Sequence, residues 1–345
     1  MKRLVSVLLI VAMVFAMVAC GNEGNTDGDV TGGEGMKVGL GITVDLSATA
    51  PTEDADGNAQ QDGTAAAVLL DSEGKIVKCL VDVAQNKMAF TSEGVVLDKD
   101  KEFITKKNLK EDYGMAPVSP LENGEWYQQI AVFEEYVVGM TRDDVAAIET
   151  VVNDSGHEVG TDEALTAGCT MEIIDFIEAV CKACDNAVDA GNATDLSLGI
   201  VSDMASSTDA TEDADGVAFS TSTYAATATD ADGKITACQI DCTQSKITIG
   251  SDGSVVEVPE TVQTKKELKE DYGMAPVSPL ENGEWYQQIA AFEAYVVGMT
   301  ADEVAGIETV VNDSGHEVGT DEALTAGCTM EITDFMAAIV AGMNM

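Results

Sequence analysis

Two short corners, Gly168-Cys169-Thr170 and Gly327-Cys328-Thr329, set a glycine, a thiol and a hydroxyl side by side. Glycine lets the backbone come close to a ligand, and the hydroxyl offers a donor and two lone pairs. The plainer reading is a strand-to-helix corner that needs a glycine. Two lysine pairs, Lys106-Lys107 and Lys265-Lys266, follow Thr105 and Thr264 and precede Gly114 and Gly273. Capping threonines and stop glycines predict short helices. The exposed amides of a helix start, with two ammonium groups beside them, suit a phosphate. Six of the chain's 18 basic residues gather in these two segments. The alternative is local neutralisation of neighbouring acids.

Other chemistry-bearing patterns are weaker. Cys181-Lys-Ala-Cys184 occurs once, with no second pair at zinc spacing and no thioredoxin-like setting. His157 and His316 lie in polar loops beside serine and acid, which sequence adjacency alone does not make into a triad. Asp230 to Gly233 suggests a calcium loop, but the first and twelfth positions of such a loop would be Ala228 and Gln239, so a hairpin turn is expected. Walker, dinucleotide and zinc-protease motifs do not occur.

The elements that must position these residues repeat. Segment 110–176 returns as 269–335, an offset of 159, with six substitutions. Upstream, Thr52 to Gly57 matches Thr211 to Gly216, and Gly74-Lys75-Ile76 matches Gly233-Lys234-Ile235. Copies over 36–190 and 191–345 each have ordinary domain size, and two beads are expected over a small solenoid. Within a copy the first half is β. Thr64 to Leu70 is apolar, Asp71 to Gly74 has turn chemistry, and one face of the next strand carries Val77, Cys79, Val81 and Val83. The second half is helical, with Trp126, Ile130, Phe133 and Val137 on one stripe and Gly139 as the stop. Thr141 and Thr300 are expected to cap a short helix, and a last helix covers 175–188 and 334–343, with Thr333 as the cap in the second copy. The predicted class is α+β: two tandem repeated domains, each an antiparallel sheet covered by helices.

This order of elements, with its Asp-Gly-Lys-Ile turn, aromatic helix, acidic lead-in and small-Gly-small-Thr step before a final amphipathic helix, resembles the flavin-mononucleotide (FMN)-binding domain of bacterial electron-transfer lipoproteins and redox-pump subunits. The family's step reads Ser-Gly-Ala-Thr; here it is Ala167-Gly168-Cys169-Thr170 and Ala326-Gly327-Cys328-Thr329. The resemblance spans most of each copy. It implies FMN as cofactor, one site per domain, with Thr170 and Thr329 as points where the flavin phosphate is esterified and Gly168 and Gly327 as close-approach glycines. Lys106, Lys107, Lys265 and Lys266 would then meet the phosphate. It also implies a redox carrier between a membrane donor and an outside acceptor, not an enzyme with a substrate pocket. A flavin-free ligand-binding or scaffolding lipoprotein, whose duplication adds avidity, is the second reading.

Composition supplies an address. Lys2 and Arg3, then an apolar run to Val18 and Met17-Val18-Ala19-Cys20, read as a signal peptide over 1–19 with a lipobox. Acylated Cys20 would anchor the chain to the membrane at the cell surface, and Gly21 to Gly35 would serve as a flexible tether. The 345 residues include 61 acidic and 18 basic, a formal net charge of -43, which excludes nucleic acid as a partner. A hydrophobic fraction of 45% leaves enough for ordinary cores inside an acidic, well-solvated surface.

Overall fold

A computed structural model describes residues 35–345; the expected signal peptide, Cys20 and nearly all of the tether lie outside the described residues. Repeat 1 opens with β1 (Met36–Thr49), β2 (Gly57–Leu70) and β3 (Ile76–Phe90). It continues through α1 (Lys106–Leu109), α2 (Trp126–Tyr136), α3 (Arg142–Ala146), the hairpin β4 (Thr150–Val152) and β5 (Glu158–Gly160), α4 (Glu163–Thr166), α5 (Ile174–Asp185) and β6 (Val188–Gly191). Repeat 2 follows the same plan except that its fourth sheet strand comes before the helices: β7 (Asp195–Asp203), β8 (Gly216–Thr229), β9 (Ile235–Ile249), β10 (Val255–Glu257), α6 (Lys265–Leu268), α7 (Trp285–Tyr295), α8 (Ala301–Ala305), β11 (Thr309–Val311), β12 (Glu317–Gly319), α9 (Glu322–Thr325) and α10 (Thr333–Met343).

The architecture is α+β, with one four-stranded antiparallel sheet per repeat in the orders β3-β2-β1-β6 and β10-β9-β8-β7. The β2–β3 turn forms where expected. Asp71 accepts the Glu73 and Lys75 amides, and Gly74 takes the positive φ of 79° that a side chain would resist. Asp230 does the same at the β8–β9 turn, so that loop is a hairpin turn.

Each sheet buries one face under its own helices. Trp126, Ile130, Phe133 and Val137 pack with Cys79, Val81 and Val83 and with Phe176 of α5. Trp285 meets Phe335 edge-on at 6.0 Å in the matching core of repeat 2. Thr141 and Thr300 cap α3 and α8 through reciprocal capping boxes. Ile332, not Thr333, is the cap of α10; Thr333 is its first helical residue.

The repeats do not stand apart as beads. Their second sheet faces pack on each other, β3 against β7, β1 against β9 and β2 against β8, giving helix, sheet, sheet, helix layers. The middle of this seam is polar. Gln61 and Ser220, which are equivalent positions, hydrogen-bond to each other, Asn86 donates to Ser222 at 3.1 Å, and the buried Tyr224 hydroxyl lies 3.3 Å from Thr243. An apolar cluster from both repeats, including Met88, Phe90, Met204 and Ile249, closes one end. Among the described residues, no helix is long and apolar enough to cross a membrane.

Candidate functional site

The Gly-Cys-Thr corners are held by a buried glutamine from the tryptophan helix. Gln129 lies on α2, and its Oε1 accepts the Thr170 amide at 2.9 Å and the Thr170 hydroxyl at 3.3 Å. Its amide nitrogen donates to Gly124 O at 2.9 Å and Ser119 Oγ at 3.2 Å, so the side chain is saturated. Gln288 repeats the arrangement, with Thr329 at 2.9 and 3.2 Å. The corner glycines are needed for packing. A Cβ on Gly168 would come 2.7 Å from Val132, and one on Gly327 would come 2.6 Å from Ala291. Cys169 and Cys328 are buried beneath the corner. Burial raises both thiols, that of Cys328 to about 11, so they stay protonated and act as small apolar fillers.

The lysine pairs divide. Lys107 and Lys266 do not reach the corners; each pairs at 2.6 Å with a glutamate, the buried Glu134 or the largely covered Glu293. Those glutamates also accept strand amides, Val81 N on β3 and Ile240 N on β9, both at 2.6 Å. The start of α1 is already neutralised, because buried Asp82 accepts the Lys107 amide at 3.0 Å, and Asp241 does the same for Lys266 at 3.1 Å. Burial raises Asp241 to about 6, and the facing Lys266 offsets part of that. The helix-start anion expected from the sequence is thus a carboxylate of the protein itself.

The other member of each pair points elsewhere. Lys106 lies 3.4 Å from Asp62 and 5.6 Å from the Tyr113 ring centre. Lys265 lies 5.0 Å from the Tyr272 ring centre and 5.4 Å from that of Trp285. Among the described residues, no carboxylate comes within 4.0 Å of its amine. Lys265 and Thr329 both line one cleft of about 940 Å³, with Trp285, Tyr272, Phe219 and Gln288. Small-molecule sites span roughly 300–1,000 Å³ and combine apolar walls with a few placed polar groups. Two further grooves, of about 640 and 530 Å³, have no aromatic side chain in their lining. The second repeat's cleft is therefore the candidate site.

Carboxylates stand at one side of both corners. In repeat 1, burial pushes Asp175 up to about 7, with Asp45, Glu172 and Glu178 adding repulsion and Asp45 a hydrogen bond. Because this exceeds the ordinary 3.8, ionised Asp175 is disfavoured in the fold. Its cost is absent below about pH 4, grows as pH rises, and is complete above about pH 7. Asp175→Asn is expected to raise the melting temperature at pH 8 and to change it little at pH 4, as read by circular dichroism. A larger gain at pH 4 would contradict this assignment.

The remaining candidates carry less. His157 and His316 sit in exposed hairpins, each 3.1 Å from a glutamate, although His316 reaches the cleft rim. Cys181 and Cys184 are unpaired thiols on α5, and burial raises Cys184 to about 12. Among the described residues, no group of histidine, cysteine and acid is placed to hold a metal. Gln129, Gln288, Phe219 and Asp62 escaped the sequence reading. A glutamine on the buried stripe of an amphipathic helix, four residues before Phe133 or Phe292, was the available signal for the first two. Comparison with protein-family models, with curated proteins and with solved structures finds no match.

Proposed function

We propose that the protein is an extracytoplasmic, lipid-anchored carrier that holds a flat, anionic, aromatic cofactor, flavin mononucleotide, in the cleft of repeat 2. The observation that carries the reading is Lys265: a cation set against two aromatic rings, without a carboxylate partner, in a cleft whose wall includes the corner threonine Thr329. The half-buried Tyr272 and Phe219 offer aromatic surface to a ring system, with the buried Trp285 packed behind the cleft wall. Lys265 offers charge to a phosphate. Gln288 fixes the Thr329 backbone and hydroxyl, so the oxygen is presented from a rigid corner. When bound, a flavin would supply the electron chemistry, while the protein fixes its place and surroundings. The signal peptide and Cys20, read from sequence, give this carrier its place at the membrane surface.

The test is to express the chain with a flavin transferase and isolate it. Wild type should be yellow and gain the mass of bound flavin, and Thr329→Ala should lose at least nine-tenths of the colour while its melting temperature moves by a few degrees at most. A colourless, unmodified wild type that ignores added FMN would leave the flavin-free scaffold as the reading.

A further inference from the structure

Around the corner, the tryptophan, tyrosine, glutamine, threonine and histidine recur at the 159-residue offset, while Val132 against Gly168 becomes Ala291 against Gly327. The strand-borne wall differs. Asp62 becomes Thr221, Gln60 becomes Phe219 and Val83 becomes Cys242. Among the residues lining the cleft, the charged and aromatic differences lie on the strands.

The Asp62 carboxylate takes hydrogen bonds from Gln60 and, at 2.7 Å, from Gln85, and it faces the Lys106 ammonium at 3.4 Å. Only 14% of the Lys106 side chain and 23% of that of Asp62 remain exposed, so this pair is shielded from competing solvent. An anion entering here would meet a lysine already neutralised and a carboxylate beside it. Opposite, β1 adds Asp45, the strand neighbour of Asp62, and α5 adds Asp175. Repeat 2 keeps the matching carboxylates, Asp203 and Asp334, and Lys265 favours the charged form of Asp334. But Asp203 pairs across the strands with Thr221 in place of an aspartate, so among the described residues no carboxylate lies within 4.0 Å of the Lys265 amine. Phe219 replaces the glutamine that donates to Asp62 in repeat 1.

We propose that the repeats are functionally unequal: repeat 2 holds the anionic aromatic ligand, and repeat 1 is closed to it because Asp62 occupies Lys106. The inference rests on the proposed flavin reading and names the residues that decide it, Asp62 and Thr221. It departs from one flavin per domain. Juxtaposed like charges cost enough to change affinity by on the order of tenfold or more.

Free FMN is the probe, titrated into the purified mature chain with the bound count read by equilibrium dialysis. Wild type should bind one FMN. Thr221→Asp should weaken that site at least tenfold, and Asp62→Thr should raise the count to two. A wild-type count of two, or a single site indifferent to Thr221→Asp, overturns the inequality while leaving flavin binding intact. An Asp62→Thr protein that is folded by circular dichroism but still binds one overturns the role given to Asp62. If that variant does not fold, Thr221→Asp decides alone. No FMN on any form overturns the underlying reading, and this inference with it.

Discussion

Gly199→Ala should destabilise the protein by about 3 kcal/mol or more, at the upper end of overpacking substitutions. A Cβ at this position in β7 would lie 1.8 Å from Ala338 O and 2.6 Å from Gly342 N, both backbone atoms of α10. No rotamer relieves a clash with backbone, so the helix must lift off the sheet and the contact between α10 and β7 opens. Gly41 plays the same part in repeat 1, where the added carbon would lie 2.0 Å from Ala179 O. Gly306→Ala is the internal control. Its nearest neighbour is 3.3 Å away, and repeat 1 carries Ala147 there. Urea midpoints should show a large loss for Gly199→Ala and almost none for Gly306→Ala. A loss below 1 kcal/mol for the former would mean that helix and sheet are not so closely apposed.

Lys266→Met should cost about 3 kcal/mol near neutral pH, because it strands a buried carboxylate. Glu293 is nearly enclosed; burial raises it, and Lys266 at 2.6 Å offsets part of the rise. Without the lysine its pKa climbs further. The penalty then belongs to the ionised form, so it is small at pH 5 and grows toward pH 8. Adding Glu293→Leu should recover only part of the loss, since the glutamate also accepts the Ile240 amide and an orphaned β9 N–H remains. Full recovery in the double variant would show that the amide finds another partner.

The parts of this fold legible in the sequence are those set by near neighbours. The Trp126–Val137 stripe, the turns at Asp71 and Asp230, and the caps at Thr141 and Thr300 each depend on residues within about two helical turns, and each forms as read. The face-to-face packing of the sheets was not legible. The apolar run Thr64–Leu70 is what a strand buried on both faces looks like. Gln61, Asn86, Ser220 and Ser222 are polar side chains that sequence alone does not pair, and the bonds Gln61–Ser220 and Asn86–Ser222 form across the seam. The candidate site was half legible for a similar reason. Lys106 and Lys107 are neighbours in sequence with partners on different elements: Asp62 on β2 and Glu134 on α2. Charge and spacing located the lysines, whereas only tertiary structure assigns Lys107 and Lys266 to the helix glutamates Glu134 and Glu293, and Lys265 to the cleft. The proposed flavin site rests on the fixed Thr329 corner and the aromatic side chains near it.

Peptide mapping by mass spectrometry, on chain isolated from cells that make a flavin transferase, tests that claim most directly. The two corner peptides differ at position 174 against 333, isoleucine against threonine, so they are distinguishable by mass. Flavin mononucleotide should be found on the peptide containing Thr329 and not on the one containing Thr170. A flavin on Thr170 alone, or two bare peptides from a protein that also fails to bind free FMN, would contradict the account.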